Sequence, residues 1–539
     1  MSFEKRGEAI DLSHHLSDVA RARNPSPLKD MMKYLGRPGV ISLVGGLPNE
    51  NYFPISSVSG EILVPDSFPL EDADKPSSSL SWFWRLFGKS SPAERTTPFT
   101  VHRFSDNDKD LTLATSLQYS MAKGLPQLMT MINEFTEKVY RPAYSNYATG
   151  IDLGNTDGIQ KSILTLCNPG EGVFFGEWTY PSTINTIKPY GIHPVPLKMD
   201  SQGIRSDDLR DTLSGWDESV RGMPRPHVLY TIPVGQNPTG VTVGYERKKE
   251  IYGVCVDFDV IIIEDDPYYF LQAGPYVPKS DRRPDPLAAL SDEEYIARLA
   301  PSYLRLDYQG RVIRLDSFSK NIAPGSRLGW ATCNPLFAER LERATETSTQ
   351  APCGFGQIFV TSTLLQWKYE GYIRWLKGLR SQYKGRRDDF VDCLAEQFSL
   401  RETVRTEGHL EGCTVYEASL RAQNIFVDDK TPHVAVLSFV PPTSGMFVWL
   451  EVHFENHPLF GTLETTTLEM KLWTDLAEAG LVLGPGYLFS ATRGENASRR
   501  RGHFRVSFSQ CSLEEMKKSS KILSSVFREF MKLKSITVV

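Results

Sequence analysis

The chain has 539 residues, 40% of them hydrophobic and 23% charged, with a formal net charge of -5. That composition is ordinary for a folded protein, and so small a charge on so long a chain argues against general binding to nucleic acid. No run approaches the ~18 apolar residues of a transmembrane helix, so we expect no membrane span.

Targeting signals and cysteine usage indicate the compartment. The N-terminal segment MSFEKRGEAIDLSHHLS lacks the apolar core of a signal peptide, and the final SITVV is no retention or peroxisomal address. The seven cysteines are scattered and form no CxxC motif. We therefore expect a cytoplasmic protein with reduced thiols and no metal site.

The first two thirds of the chain predict a large α/β domain. Residues 1–60 form an N-terminal arm and part of the smaller domain, and the Ser- and Pro-rich stretch 61–100 is predicted to be an insertion loop. From 101 to 375 a helix is predicted at 125–139, and short apolar strands alternate with helical stretches; the strands are at 172–175, 227–232, 260–264 and 311–315. This alternation predicts a mostly parallel central sheet flanked by helices.

The last third predicts a smaller α+β domain, residues 376–539. A helix at 376–398 is followed by a loop-rich stretch, 400–440. Strands are then predicted at 446–452 and 503–508, with helices at 466–480 and 513–533.

Three motifs in the large domain carry groups suited to one cofactor. QNPTG begins at Gln236, IIIEDDPYYF at Ile261 and DSFSKNIAPGSRLGW at Asp316. Together they supply a lysine, an arginine, hydroxyls, an acid and a tyrosine, which are the groups that hold pyridoxal phosphate (PLP) as an electron sink.

Lys320 is the predicted catalytic lysine. It follows a predicted strand, where its amine can be desolvated and therefore nucleophilic. Ser317, Ser319 and Arg327 surround it and suit a phosphate dianion. A lysine beside serines is more often a surface residue, but the following xxxPGxRxGW makes the pattern much more specific.

Asp266 follows a buried strand, at the end where α/β sheets place their ligands. Beside a pyridine nitrogen its carboxylate would favour the protonated ring. Tyr269, three residues on, could reach the phenolic oxygen of the cofactor. The local pattern fits equally well with acids that cap a helix at Pro267, and Asp265 stays open as the working acid.

Further candidates lie after other strands. The Asn237 amide could donate to the phenolic oxygen, although Asn-Pro is also a common turn. Asn155 and Thr156 precede a helix whose free amides could bind phosphate, or they form an ordinary cap. Tyr180 could lie over the pyridine ring or simply be a buried aromatic residue.

Arg505 is the predicted carboxylate-binding residue of the second domain. It lies on the strand HFRVSFS. A strand arginine usually forms a surface ion pair, but a site for amino acids needs one arginine that binds the α-carboxylate with two hydrogen bonds.

The ordered set GNT, WTYP, QNPTG, EDDPYY, SFSKxxxPGxRxGW and FRVSFS resembles fold-type I PLP enzymes of the class I/II aminotransferase group. ARNPSPLKDM, ISLVGGLPNENYFP and LQYSMAKGLPQL are similar to the fungal aromatic amino acid aminotransferases, relatives of the kynurenine and α-aminoadipate aminotransferases. The resemblance runs from about residue 10 to 535.

The resemblance implies a role for each candidate. Lys320 would bind PLP covalently, and Asp266 would contact the pyridine nitrogen. Tyr269 and Asn237 would contact the phenolic oxygen, and Tyr180 would lie over the ring. The phosphate would be held by Asn155, Thr156, Ser317, Ser319 and Arg327. Arg505 would bind the substrate carboxylate beside Gly46. Tyr119 would reach the cofactor phosphate of a neighbouring subunit, which implies a homodimer.

The implied activity is ping-pong transamination of Phe, Tyr or Trp with 2-oxoglutarate or an aromatic 2-oxo acid. α-Aminoadipate, kynurenine and the substrates of a secondary-metabolite pathway stay open as alternatives. So do decarboxylation and β-elimination, which other fold-type I enzymes catalyse. A non-enzymatic regulator with an aminotransferase-like domain is remote, because too few residues precede NPSPLKD to form a DNA-binding domain.

Overall fold

The fold is taken from a computed structural model, which describes residues 6–24, 39, 43, 46–70, 94–119, 122–406, 408–421, 434–492 and 500–531. Within these ranges no helix is both long and apolar enough to cross a bilayer.

Seven strands form the central sheet. In chain order they are β1 (Ala148–Asp152), β2 (Gly172–Gly176), β3 (His193–Leu197), β4 (Val228–Thr231), β5 (Ile261–Asp265), β6 (Val312–Ser317) and β7 (Gly329–Cys333). Their order across the sheet is β1-β7-β6-β5-β4-β2-β3. β7 is antiparallel to both of its neighbours, and the other pairs are parallel. The mostly parallel sheet predicted from the sequence is therefore confirmed.

Apolar side chains cover both faces of this sheet. Along β5, Ile261 and Ile263 belong to one buried cluster while Ile262 belongs to the other, as expected for a strand whose successive side chains point to opposite faces. The helices of this region that cover the sheet or follow its strands are Pro126–Val139, Asn155–Leu166, Pro181–Ile187, Ser206–Ser214, Glu218–Arg221, Tyr245–Asp257, Asp292–Arg298 and Pro335–Glu346.

A second sheet forms the smaller lobe. Its strands are β8 (Phe398–Val404), β9 (Thr414–Leu420), β10 (Ala435–Phe439), β11 (Phe447–Val452), β12 (Gly484–Pro485) and β13 (Gly502–Ser507). Every pairing is antiparallel, in the order β8-β9-β10-β11-β13-β12. Helices Thr465–Glu478 and Leu513–Met531 pack on it around a separate apolar core.

The prediction of a loop-rich stretch at 400–440 is wrong. Strands β8, β9 and β10 lie there, and only 407 and 422–433 fall outside the described residues. β8 was missed because one of its faces is exposed, so charged residues such as Arg401 and Glu402 dilute the apolar pattern.

The N-terminal part contains a strand pair and short helices. Strands Ser57–Leu63 and Thr96–His102 pair antiparallel and enclose most of the predicted insertion, of which 71–93 lie outside the described residues. Among the described residues, the α-helices before the large sheet that have not yet been named are Asp18–Ala22 and Leu113–Ser116. The helical segment Gly354–Gln397 is interrupted by a kink at Lys368, and its second part crosses the predicted domain limit at residue 375, so the limit itself stays a prediction.

Candidate active site

Lys320 lies just beyond the carboxyl end of β6, on a turn held by buried contacts. The Trp375 indole nitrogen donates to the Asn321 carbonyl at 2.7 Å, and the Phe318 amide donates to the Leu328 carbonyl at 3.1 Å. Burial lowers the pKa of the Lys320 amine, and the positive charge of nearby Arg505 lowers it further. A lower pKa raises the fraction of neutral, nucleophilic amine.

Arg505 joins the two lobes at this point. Its Nη1 donates to Asn237 Oδ1 at 2.8 Å, and its guanidinium lies 4.3 Å from the Phe447 ring centre and 4.6 Å from that of Phe489. Burial lowers the pKa of Arg505, while Tyr268 and Tyr180 act in the opposite direction. The arginine is thus fixed between two aromatic faces without a carboxylate partner among these contacts.

Asp265, the last residue of β5, is the buried acid on this side of the sheet. Asn155 Nδ2 donates to its Oδ1 at 2.6 Å, and the Tyr230 hydroxyl donates to its Oδ2 at 2.6 Å. Burial raises the pKa of Asp265 to about 6, although both hydrogen bonds act to lower it. The two hydrogen bonds therefore fix the Asp265 carboxylate in position.

Tyr268 connects Asp265 to Arg505. Burial raises the pKa of Tyr268 well above its ordinary value. Asp265 and Tyr180 raise it further, whereas Arg505 and a hydrogen bond with Asn237 act to lower it. The half-buried Tyr180 packs against the same apolar cluster that contains Tyr268. The groups from Lys320 through Arg505 and Tyr268 to Asp265 therefore form one continuous site.

The structure does not bring Asp266 and Tyr269 into this site. Arg314 Nη1 donates to Asp266 at 2.9 Å, and the Arg314 guanidinium lies 4.8 Å from the Tyr269 ring centre. Tyr269 belongs to the apolar cluster on the opposite face of the sheet. The reason is the two-residue period of a strand, which turns adjacent side chains to opposite faces.

The predicted phosphate-binding residues surround the first turn of helix Asn155–Leu166. The exposed Arg327 donates from Nη2 to the Leu153 carbonyl at 2.7 Å. A Cβ on Gly154 would lie 3.0 Å from the same nitrogen, which explains the glycine at this helix start. Ser317 is buried at the end of β6 and accepts from the Ser319 amide at 3.0 Å. Thr156 is exposed on the helix.

Tyr119 and Gly46 lie outside this network. Tyr119 is 63% exposed, and Gly46 is exposed with no atom near the position of a Cβ. No hydrogen bond between described residues joins either of them to Lys320 or Arg505.

The site fits PLP. Asn155 Oδ1 and Arg505 Nε are buried and have no hydrogen-bond partner among the described residues. A lysine of lowered pKa, a fixed carboxylate and the start of a helix are the groups that an aldehyde, a pyridine nitrogen and a phosphate require.

Sequence reasoning left Asp265 open as the alternative to Asp266, and it missed Tyr268 and the rings of Phe447 and Phe489. The signal for Asp265 was present: counting by two from Ile261 and Ile263 reaches Asp265, whereas Glu264 shares the face of Ile262. The two phenylalanines gave no signal, because only the fold brings them to Arg505.

Three comparisons with known proteins agree with this geometry. A family model described as aminotransferase class I and II matches residues 95–409. An aromatic amino acid aminotransferase of Schizosaccharomyces pombe is 34% identical, over 94% of this chain and 95% of its own. The L-tyrosine:2-oxoglutarate aminotransferase amt1 of Serpula lacrymans is 33% identical, over 90% of this chain and 85% of its own.

Solved structures extend the likeness to the fold. Aminotransferase Aro8 from Candida albicans is 32% identical with a TM-score of 0.79, covering 98% of this chain and 100% of that chain. The aromatic aminotransferase Aro9 from the same organism is 25% identical with a TM-score of 0.76, covering 97% and 98%. The match therefore includes both lobes.

Proposed function

Because the chain belongs to the class I and II aminotransferases, we propose that it transfers the amino group of aromatic amino acids. The acceptors are 2-oxoglutarate or aromatic 2-oxo acids, and the cycle is ping-pong with PLP as cofactor. Relatives named for aromatic amino acids and for L-tyrosine with 2-oxoglutarate support this substrate class.

One observation carries the proposal: a half-buried lysine of lowered pKa lies close to an arginine that has two aromatic faces around it. Bound PLP supplies the electron sink for the negative charge that forms at the substrate α-carbon. Lys320 would hold the cofactor covalently at rest, and once the substrate amine has displaced it, the freed Nζ would take the α-proton and return it. Arg505 holds the substrate α-carboxylate through its planar fork.

The acid that pairs with the pyridine nitrogen is Asp265 in this proposal, in place of Asp266. Its support is the pair of short hydrogen bonds from Asn155 and Tyr230, which hold the carboxylate on the face of the sheet that also carries Tyr268. Tyr268 takes the place of Tyr269 beside Asn237 and donates to the phenolic oxygen of the cofactor. Asp266 and Tyr269 are then structural residues of the Arg314 cluster.

The remaining residues keep the roles that the sequence predicted for them. The backbone at the start of helix Asn155–Leu166 binds the phosphate, together with the side chains of Asn155, Thr156, Ser317, Ser319 and Arg327. Tyr180 covers the ring face, and Gly46 lies beside the substrate. We place the enzyme in the cytoplasm as a homodimer, in which the exposed Tyr119 of each chain completes the phosphate site of the other.

A donor panel tests the substrate class. Purified PLP-loaded protein is assayed with Phe, Tyr, Trp, kynurenine, α-aminoadipate, Leu and Met, each against 2-oxoglutarate and phenylpyruvate. We expect kcat/KM for the aromatic amino acids to exceed the others by at least about 10-fold, or ~1.4 kcal/mol. A clear preference for α-aminoadipate or kynurenine would replace the aromatic assignment.

A single-turnover assay tests the reaction type. With an aromatic amino acid and no acceptor, each active site should release one 2-oxo acid and no carbon dioxide, and turnover should then stop. Continued product release without an acceptor would indicate elimination or decarboxylation instead.

A further inference from the structure

A group of metal-ligating side chains lies at the amino-terminal edge of the central sheet, away from Lys320. Cys167 directly follows helix Asn155–Leu166, Glu171 precedes β2 and His227 precedes β4. One ligand atom from each lies within 4.8 Å of the others. The sequence predicted no metal site because His227 is far from the other two along the chain, and only the sheet brings the three together.

The spacing in this group is that of metal ligands rather than of a tight hydrogen bond. His227 Nε2 and Glu171 Oε2 are 3.5 Å apart. Bonds of about 2.0–2.3 Å in a tetrahedral zinc site place the ligand atoms roughly 3.3–3.7 Å from one another. Glu171 is also held in place, since the Asn168 amide donates to Oε2 at 2.8 Å and the Asn168 side chain donates to Oε1 at 3.2 Å.

A chain of hydrogen bonds fixes the orientation of His227. His15 Nε2 lies 3.1 Å from Asp259 Oδ1, and His15 Nδ1 lies 2.9 Å from His227 Nδ1. Because an ionised carboxylate only accepts, His15 carries its hydrogen on Nε2, and its Nδ1 accepts from His227 Nδ1. A neutral His227 then presents the lone pair of Nε2 to the carboxylate of Glu171. A metal ion beside Cys167 would satisfy both of these acceptors, in competition with a proton on His227 Nε2.

A neighbouring set, His14, His15 and Asp259, also has ligand spacing. Its carboxylate is already in use: Arg311 Nη1 lies 2.6 Å from Asp259 Oδ1, and His14 Nε2 lies 2.7 Å from Oδ2. The positive charge of Arg311 opposes a second cation there. Within this set, His15 and Asp259 act as the hydrogen-bonding support of His227, in the way that metal-bound histidines are usually oriented.

We propose that Cys167, Glu171 and His227 form a binding site for Zn²⁺, with water as the fourth ligand and with His15 and Asp259 fixing the His227 tautomer. A thiolate, an imidazole and a carboxylate are all ligands that Zn²⁺ accepts, and the thiol proton is released to solvent on binding. The bound ion would tie the end of helix Asn155–Leu166 to the starts of β2 and β4. This site is independent of the proposed transamination.

Calorimetry with ZnCl₂ tests the site on the PLP-loaded, full-length protein after EDTA treatment and removal of free PLP. We expect one Zn²⁺ per chain with a Kd below about 10 μM, and a higher unfolding temperature in its presence. Cys167→Ser and Glu171→Gln should each weaken binding by at least about 10-fold. Asp259→Asn should weaken it by roughly 10- to 100-fold through the lost orientation of the histidines.

His14→Ala is the matched control, because His14 belongs to the neighbouring set alone, and its Kd should stay within about 2-fold of the parent. Loss of binding in His14→Ala with retention in Cys167→Ser would move the ion to the other set and overturn the proposal. So would the absence of binding, or binding that none of the substitutions changes. Glu171 is half-buried, so Glu171→Gln decides the matter if Cys167→Ser does not fold.

Discussion

Asp265 and Asp266 are neighbours in sequence but have different partners. The carboxylate of Asp265 accepts from Asn155 and Tyr230 on the Lys320 side, whereas that of Asp266 accepts from Arg314 in a fully buried cluster. In the first case the hydrogen bonds position an acid for a ligand. In the second, the acid balances the charge of a buried arginine.

This difference predicts opposite effects of two equivalent substitutions. Asp265→Asn removes the charge that pairs with the pyridine nitrogen, so kcat should fall by at least about 100-fold, or ~2.7 kcal/mol, with a small change in stability. Asp266→Asn removes one of three carboxylates around Arg314, which keeps Glu264 and Asp316, so it should lower the free energy of unfolding by roughly 1–3 kcal/mol. Its kcat per folded molecule should stay within about 3-fold of the parent.

Steady-state kinetics and urea unfolding of both variants, measured side by side, check this prediction. The reverse result, with Asp266→Asn inactive but stable, would return the pyridine contact to Asp266.

We expect substitution of Arg505 to weaken substrate binding rather than to slow the chemical step. Arg505→Ala should raise KM for both the amino acid and the 2-oxo acid by at least about 30-fold, because the carboxylate loses a charged pair of hydrogen bonds worth on the order of 2–3 kcal/mol. Arg505→Lys keeps the charge without the planar fork and should recover only part of the affinity. An unchanged KM in the alanine variant would assign the carboxylate to another residue.

At the scale of elements, two glycine-containing loops fix the distance between the lobes. A Cβ on Gly235, which has a φ of 58°, would lie 2.7 Å from the backbone of Gly445 in the other lobe. Gly235 immediately precedes Gln236 and Asn237, and Asn237 accepts from Arg505. Contact between the loops therefore sets the position of a site residue.

Gly235→Ala should therefore lower the free energy of unfolding by roughly 2–4 kcal/mol, through backbone strain and overpacking together. It should also raise KM, since Asn237 and Arg505 move apart. Gly222→Ala is the control, because Gly222 has a similar φ of 67° but open space around its Cβ position. We expect Gly222→Ala to lower the free energy of unfolding by about 1 kcal/mol and to leave KM unchanged. Equal costs in urea unfolding would show that the contact between the loops contributes nothing.

The strands that the sequence predicted best are those at the centre of the large sheet, where the apolar run is continuous. The run 260–263 is apolar throughout, and β5 is found at Ile261–Asp265. The half-exposed β8 gave a weaker pattern and was missed, and β9 and β10 were missed with it, although every residue of β10 is buried. In the site, motif spacing led to Lys320, Asn237 and Arg505. Counting by two along β5 groups Asp265 with Ile261 and Ile263, but the sequence does not tell which face of this doubly buried strand carries the site.

At the scale of the whole molecule, the proposed dimer makes each site depend on two chains. Tyr119 is exposed in the single chain, as its proposed role in a partner's site requires. Tyr119→Phe should weaken PLP binding by roughly 5- to 30-fold, the value of one hydrogen bond to a charged group, about 1–2 kcal/mol.

Mixed dimers make this prediction specific. In a dimer of one Lys320→Ala chain and one Tyr119→Phe chain, one site has both native residues. Mixing the two variants under conditions of subunit exchange should therefore restore parent-like PLP affinity in half of the mixed dimer's sites. Affinity that stays at the Tyr119→Phe value would place Tyr119 within its own chain's site or outside both.

Borohydride reduction of the PLP-loaded protein, followed by peptide mass spectrometry, tests the central claim most directly. The account predicts one phosphopyridoxyl group per chain, fixed to the Nζ of Lys320, and none in Lys320→Ala. A label on a different lysine, or a reduced protein that carries no cofactor, would contradict it.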